Sequence, residues 1–112
     1  MAKSLLLAWS SPTSEADAEG MTKWYVEHHI PEVRAAVPSI TKVTRYALFD
    51  PEKGATTNRF LAVYEIDSDD IPAAMQQLGA GFSTFTPTDL MDRTNDPSVL
   101  QWVALLPPEA QE

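Results

Sequence analysis

The chain of 112 residues contains no cysteine. That excludes disulfides, thiolate metal sites and a cysteine nucleophile together. Glycine is scarce as well, with four residues in all. This leaves little room for a glycine-rich phosphate loop, and no Gly-x-Ser-x-Gly elbow occurs, so nothing points to a nucleotide or flavin site. Positive charge is short: 8 Lys and Arg stand against 16 Asp and Glu, a formal net charge of −8. Such a surface repels phosphate backbones and anionic lipid, which argues against nucleic acid and membrane partners. No apolar run reaches the length of a membrane span. The run in SLLLAWSSP stops at Trp9, too early for the core of a secretion signal. The expectation is a soluble cytoplasmic protein without a cofactor.

What is present is a change of hydrophobic period along one domain-sized chain. Ser4 to Ser10 (SLLLAWS) is a continuous apolar run closed by Ser11-Pro12, the mark of a strand. From Ser14 to about Val37, apolar residues recur every three or four positions, which predicts an amphipathic helix. Pro31 has no amide for the Glu27 carbonyl, so a kink or restart is expected there. Thr41 to Phe49 and Arg59 to Ile66 read as strands joined by the turn Asp50-Pro51-Glu52-Lys53-Gly54. Asp67 to Asp70 offers caps for a helix from Ile71 to Leu78, stopped by Gly79. Leu100 to Leu106 is the last strand. The order βαββαβ is that of an α+β, ferredoxin-like split βαβ fold with a four-stranded antiparallel sheet. Residues 1–106 are expected to form one domain and 107–112 a flexible tail.

Two features ask for more than a monomer with a plain connection. Strands one, three and four are apolar on both faces, yet two helices cover only one face of such a sheet. Each large side chain left exposed forfeits roughly 1.5–3 kcal/mol. A second copy of the same sheet, in a symmetric homodimer, is the economical cover. The segment from Gly79 to Val99 is also long for a connection and carries Phe82, Phe85, Leu90 and Met91. It reads either as an arm packed across the dimer or as a lid over a pocket.

The stretch WYVEHHIPEVRAAVPSITKVTRY, with RFLAVYEID after it, resembles the EthD-like branch of the dimeric α+β barrel superfamily. Members of that branch read approximately W-Y-x-E-x-H-I-P-[DE]-V, then V-P-G-F, a strand with R-Y, and L-A-x-Y-E. His29 matches the family histidine. His28 departs from the pattern, and Ser39 stands where glycine is usual. The resemblance implies a homodimer whose two sheets form a barrel, with a mostly apolar pocket between sheet and helices in each protomer. Its known members include isomerases, cyclases, dehydratases and cofactor-free monooxygenases.

Histidine is the side chain whose ordinary pKa lets it take and give protons near neutrality. His28 and His29 are adjacent, point about 100° apart on a helix and cannot both face one substrate. Periodicity does not choose between them; the resemblance selects His29. An imidazole near a helix end also has a structural use, bonding free carbonyls. Adjacent histidines without HxH or HxxxH spacing make no metal-ligand set. Tyr25 and Tyr46 are candidate catalytic phenols opposite His29. Trp24, Arg45, Phe60, Phe82 and Phe85 are candidate contacts for the substrate, with core or interface packing as the alternative for the aromatics. Asp89 and Asp92 are candidates to orient the imidazole. The reading is a cofactor-independent isomerase, cyclase or lyase acting on a small hydrophobic or aromatic, polyketide-like metabolite. A cofactor-free monooxygenase of a phenol and a non-catalytic dimeric ligand-binding or stress-response module are the alternatives.

Overall fold

Strand β1, Ser4–Ser10, runs through the middle of the protein, and its side chains alternate between buried and half-exposed. The computed structural model describes residues 1–112. After β1 a short turn of 3-10 helix, Glu15–Asp17, leads into helix α1, Ala18–Trp24. The chain then makes a π turn over Tyr25–His29 and continues as helix α2, Ile30–Ala36. Strands β2, Ile40–Asp50, and β3, Ala55–Ile66, form a long hairpin. Helix α3 is Ile71–Gly81, and strand β4 is Val99–Ala104. The four strands are antiparallel in the order β2-β3-β1-β4.

The kink expected at Pro31 is replaced by the π turn just ahead of it. The Ile30 amide donates to the Tyr25 carbonyl, an i→i+5 bond, so this turn holds more residues than an α turn. A proline ring collides with the carbonyl four residues back in a regular α-helix, and a widened turn is one way to admit it without a break. The buried stripe follows: Met21, Tyr25, Val33 and Val37 are buried at multiples of four residues. A strict spacing of four drifts around a helix of 3.6 residues per turn, and the wide turn takes up that drift.

Helix α3 passes through Gly79 and ends at Gly81, two residues beyond the expected stop. Nothing about Gly79 demands a stop, since glycine lowers helix propensity without blocking the hydrogen bond. Its start is as expected: the Asp70 carboxylate accepts from the Ala73 amide at 3.1 Å, and Pro72 sits in the first turn. The β3 strand begins four residues earlier than Arg59, at Ala55, because the hairpin extends well past the end of β1. Gly54 closes that hairpin at φ +66°, with its amide donating to the Asp50 carbonyl at 2.9 Å. It is the one residue with positive φ, so Ser39 occupies its turn without needing glycine. Residues Pro108–Ala110 form a 3-10 turn, and Gln111 donates to the Leu106 carbonyl at 3.0 Å.

The helices pack on one sheet face. Leu6 and Ala8 of β1 and Ala62, Tyr64 and Ile66 of β3 join Tyr25, Val33, Val37, Ala74 and Leu78 in the core. The residues between them in sequence point the other way. Leu5 and Leu7, Leu61 and Val63 are only half-buried, and Val103 is exposed. Removing the α3 cap by Asp70→Ala is expected to cost about 0.5–2 kcal/mol of unfolding free energy, measured by urea denaturation.

Candidate functional site

Between β1, the π turn and the long segment after α3 lies a cavity of about 360 Å³. The sheet contributes Ala8, Ser10 and Leu100, the helix Trp24, Tyr25 and His29, and the segment after α3 Phe82, Phe85, Met91 and Arg93. Of the two roles open for that segment, cavity wall is the one seen in the protomer. It is tied to β1's end by paired backbone bonds: Thr13 N–H to the Leu90 carbonyl and Asp92 N–H to the Ser11 carbonyl, both 2.8 Å. Thr86 is gripped from the helix. Its amide donates to both Glu32 carboxylate oxygens at 3.0 Å, and its carbonyl accepts from Trp24 Nε1 at 3.1 Å.

His29 is enclosed by rings. It stacks on Trp24 with centroids 4.8 Å apart, lies 4.9 Å from the Tyr25 ring and meets Phe85 edge-on at 5.8 Å. Its Nδ1 is buried with no hydrogen-bond partner. Burial lowers the His29 pKa below its ordinary value, and the negative charge of Glu32 opposes that in part. The imidazole at neutral pH is therefore uncharged and has a lone pair free of any protein donor. His28 is exposed. The π turn makes the separation, since it brings Trp24, Tyr25 and His29 to one side of the helix.

Tyr25 is buried, and its hydroxyl shares a hydrogen bond of 3.0 Å with the hydroxyl of Tyr64. The Arg45 guanidinium lies 4.9 Å from the Tyr25 ring centre and 5.1 Å from that of Phe60, with Nε and Nη2 buried and unpartnered. Burial raises the pKa of both phenols, while the Arg45 charge pulls in the opposite direction. The phenol pair stays protonated near neutrality.

The expected site residues divide accordingly. His29, Tyr25, Trp24, Phe82 and Phe85 all line the cavity. Tyr46 does not: it pairs with Leu61 on the other face of the sheet and is 56% exposed there, in a second hollow with Leu5, Val63 and Val103. One residue of register separates the two faces of a strand, so Arg45 faces the helices and Tyr46 does not. Arg45 and Phe60 lie behind Tyr25, outside the cavity lining. Asp92 does not orient the imidazole: its carboxylate accepts from the amides of Thr94, Asn95 and Asp96 in its own loop, and His29 Nδ1 has no partner. Sequence reasoning missed Tyr64, although its alternation with Ala62 put it on the helix-covered face. It also missed Met91 and Arg93, whose place depends on the path of an irregular segment.

No protein-family model matches the chain, and no curated protein is similar to it. Solved structures are. An EthD-family protein from Bacillus halodurans C-125 superposes with a TM-score of 0.55 at 16% identity, covering 92% of this chain and 99% of its own. A dimeric ferredoxin-like protein from an uncultured marine organism gives 0.57 at 15% identity, with 96% of each chain covered. An EthD-like protein from Ralstonia eutropha JMP134 gives 0.50 at 16% identity over 98% of both chains. The chain has the EthD-like, ferredoxin-like fold. Coverage is nearly complete on both sides, so the fold accounts for nearly the whole chain.

The lowered pKa of His29 has two readouts. In a long-range 1H–15N NMR titration its imidazole is expected to protonate below pH 6.5; protonation above that value contradicts the burial argument. The sign for stability follows from linkage: above 6.5 neither state binds the proton. As pH falls from 6.5 the unfolded chain takes up a proton that the folded one refuses, so stability declines until the lowered pKa is reached. His29→Gln is expected to flatten that decline.

Proposed function

We propose that this chain is a cofactor-independent enzyme that moves a proton on a small hydrophobic or aromatic, polyketide-like metabolite, with His29 as general acid/base. The observation that carries this reading is the His29 imidazole: neutral, free at Nδ1 and set among aromatic rings in the wall of an apolar cavity of about 360 Å³. A volume at the lower end of the usual range for small-molecule sites suits a ligand of one or two rings. A neutral imidazole takes a proton from carbon next to a carbonyl and returns it elsewhere. It then shifts a double bond, or releases hydroxide as water in a dehydration or cyclisation. None of these steps changes the oxidation state of the substrate.

Tyr25 supplies the second group. Either hydroxyl of the Tyr25–Tyr64 pair can donate; in the arrangement where Tyr64 donates, the Tyr25 hydroxyl keeps its own proton for a substrate oxygen, and Arg45 against its ring favours the negative charge that such an oxygen passes on. Arg45 acts through Tyr25 and is a positioning residue. The site operates in a cytoplasmic homodimer, in which the open face bearing Leu5, Leu61, Val63, Tyr46 and Val103 lies against the same face of a second copy. The exposed apolar side chains of that face support the dimer, and the ferredoxin-like relative described as dimeric is consistent with it.

The enzyme reading is tested by metabolite profiling of the native host with the gene deleted and then restored. A small apolar compound is expected to accumulate on deletion and to be cleared by wild type and His28→Ala but not by His29→Ala. Equal clearance by His29→Ala makes the imidazole structural and favours a ligand-binding module instead. The dimer is tested by light scattering. Wild type is expected at twice the chain mass, and Val63→Glu, which puts a charge into the middle of the open face, is expected to run as a monomer or to aggregate. A monomeric wild type refutes the sheet-to-sheet association.

A further inference from the structure

Among the residues lining the His29 cavity, Arg93 is the one with a permanent charge. Its place is unusual for this chain, where carboxylates outnumber cations two to one, and yet it forms no ion pair. The salt bridges are Lys3–Asp67 and Arg59–Asp96. Arg93 makes a single hydrogen bond, from Nη2 to the Thr88 carbonyl at 3.2 Å, and Thr88 also lines the cavity. Of the carboxylates near it in sequence, Asp89 forms no ion pair with it, and Asp92 and Asp96 are engaged elsewhere. Asp92 accepts from the amides of Thr94, Asn95 and Asp96. Asp96 is held by Arg59 at 3.0 Å and by the Ser11 hydroxyl at 2.6 Å. A guanidinium carries five N–H donors in a planar fork that matches a carboxylate, and one contact to Thr88 leaves most of that fork unused.

We propose that Arg93 sets the charge preference of the cavity: the ligand is an aromatic acid, its rings among Trp24, His29 and Phe85 and its carboxylate on the Arg93 fork. This deepens the proposed function and rests on that cavity being the substrate site. An uncharged apolar ligand has no use for a cation at this position. An anionic one needs it, because a protein with net charge −8 otherwise repels it.

The test uses two fluorescent probes that differ by one anionic group, 8-anilinonaphthalene-1-sulfonate and the neutral N-phenyl-1-naphthylamine, titrated into the full-length protein. Arg93, at the exposed mouth of the cavity, is compared as Arg93→Gln with Arg34→Gln, which removes the same charge from another exposed residue, away from the cavity, where Arg34 bonds the Thr41 carbonyl. Arg93→Gln is expected to weaken sulfonate binding about tenfold, the usual worth of a charge-assisted hydrogen bond, with the neutral probe changed less than about twofold. Arg93→Lys is expected to recover part of the loss, and Arg34→Gln to leave both probes as in wild type. If Arg93→Gln weakens both probes equally, or matches Arg34→Gln, the charge preference is refuted while the cavity stands as a site for neutral ligands. If wild type binds neither probe, the inference falls together with the substrate cavity beneath it.

Discussion

Pro31 returns no amide to the turn before it, and the helix meets that shortage by widening over Tyr25–His29 rather than by breaking. Much of the cavity's geometry depends on this. In a uniform α-helix, residues separated by eight positions lie about 80° apart around the axis, which would put Met21 and His29 at opposite edges of one face. The added room in the π turn keeps Met21, Tyr25, His29 and Val33 turned toward the sheet and leaves His28 in solvent. It also lets His29 lie flat on Trp24, five residues earlier. A single π turn within a helix is often found at functional sites, and here it assembles the aromatic cage around the imidazole.

Around that turn the protein sorts its polar groups by whether they have partners. The phenols of Tyr25 and Tyr64 satisfy each other, Glu32 and Trp24 share the two polar groups of Thr86, and Asp92 organises its own loop. Against this background, His29 Nδ1 and the two free nitrogens of Arg45 stand out as buried atoms without partners. Leaving a buried polar atom unpaired costs on the order of 1–3 kcal/mol, a cost borne most readily where a ligand or a proton arrives to satisfy it.

Secondary structure was legible in the sequence because burial on two sides of a strand or one side of a helix imposes its period on the residues. Ser4–Ser10 and the start of α3 at Ile71 were recovered to the residue. The apolar character of both sheet faces was legible for the same reason, and it is what makes the isolated chain look incomplete. Strand ends were less legible: β3 starts at Ala55 because Thr56, Thr57 and Asn58 are carried by the hairpin partner and not by any pattern of their own. The site was half legible. Trp24, Tyr25 and His29 come from one short segment whose facing a single turn decides, whereas Tyr46 was placed opposite His29 although it points away from it.

By itself the sequence determined what the chain is able to use: no thiol, no phosphate loop, a net negative surface, two adjacent imidazoles and strands demanding cover on both faces. These are matters of composition and local period, and they hold whatever the chain's path. Only the tertiary structure decided which imidazole is enclosed, which phenol is paired with Tyr25 and which cation borders the cavity. Those outcomes depend on the hydrogen-bond register of one helical turn, on the parity of one strand and on the route of the segment between α3 and β4. The turn answers to Pro31 beside it, but the strand's facing and the segment's route are set by contacts between residues far apart in sequence, as in the hold of Glu32 on Thr86, which no local pattern encodes.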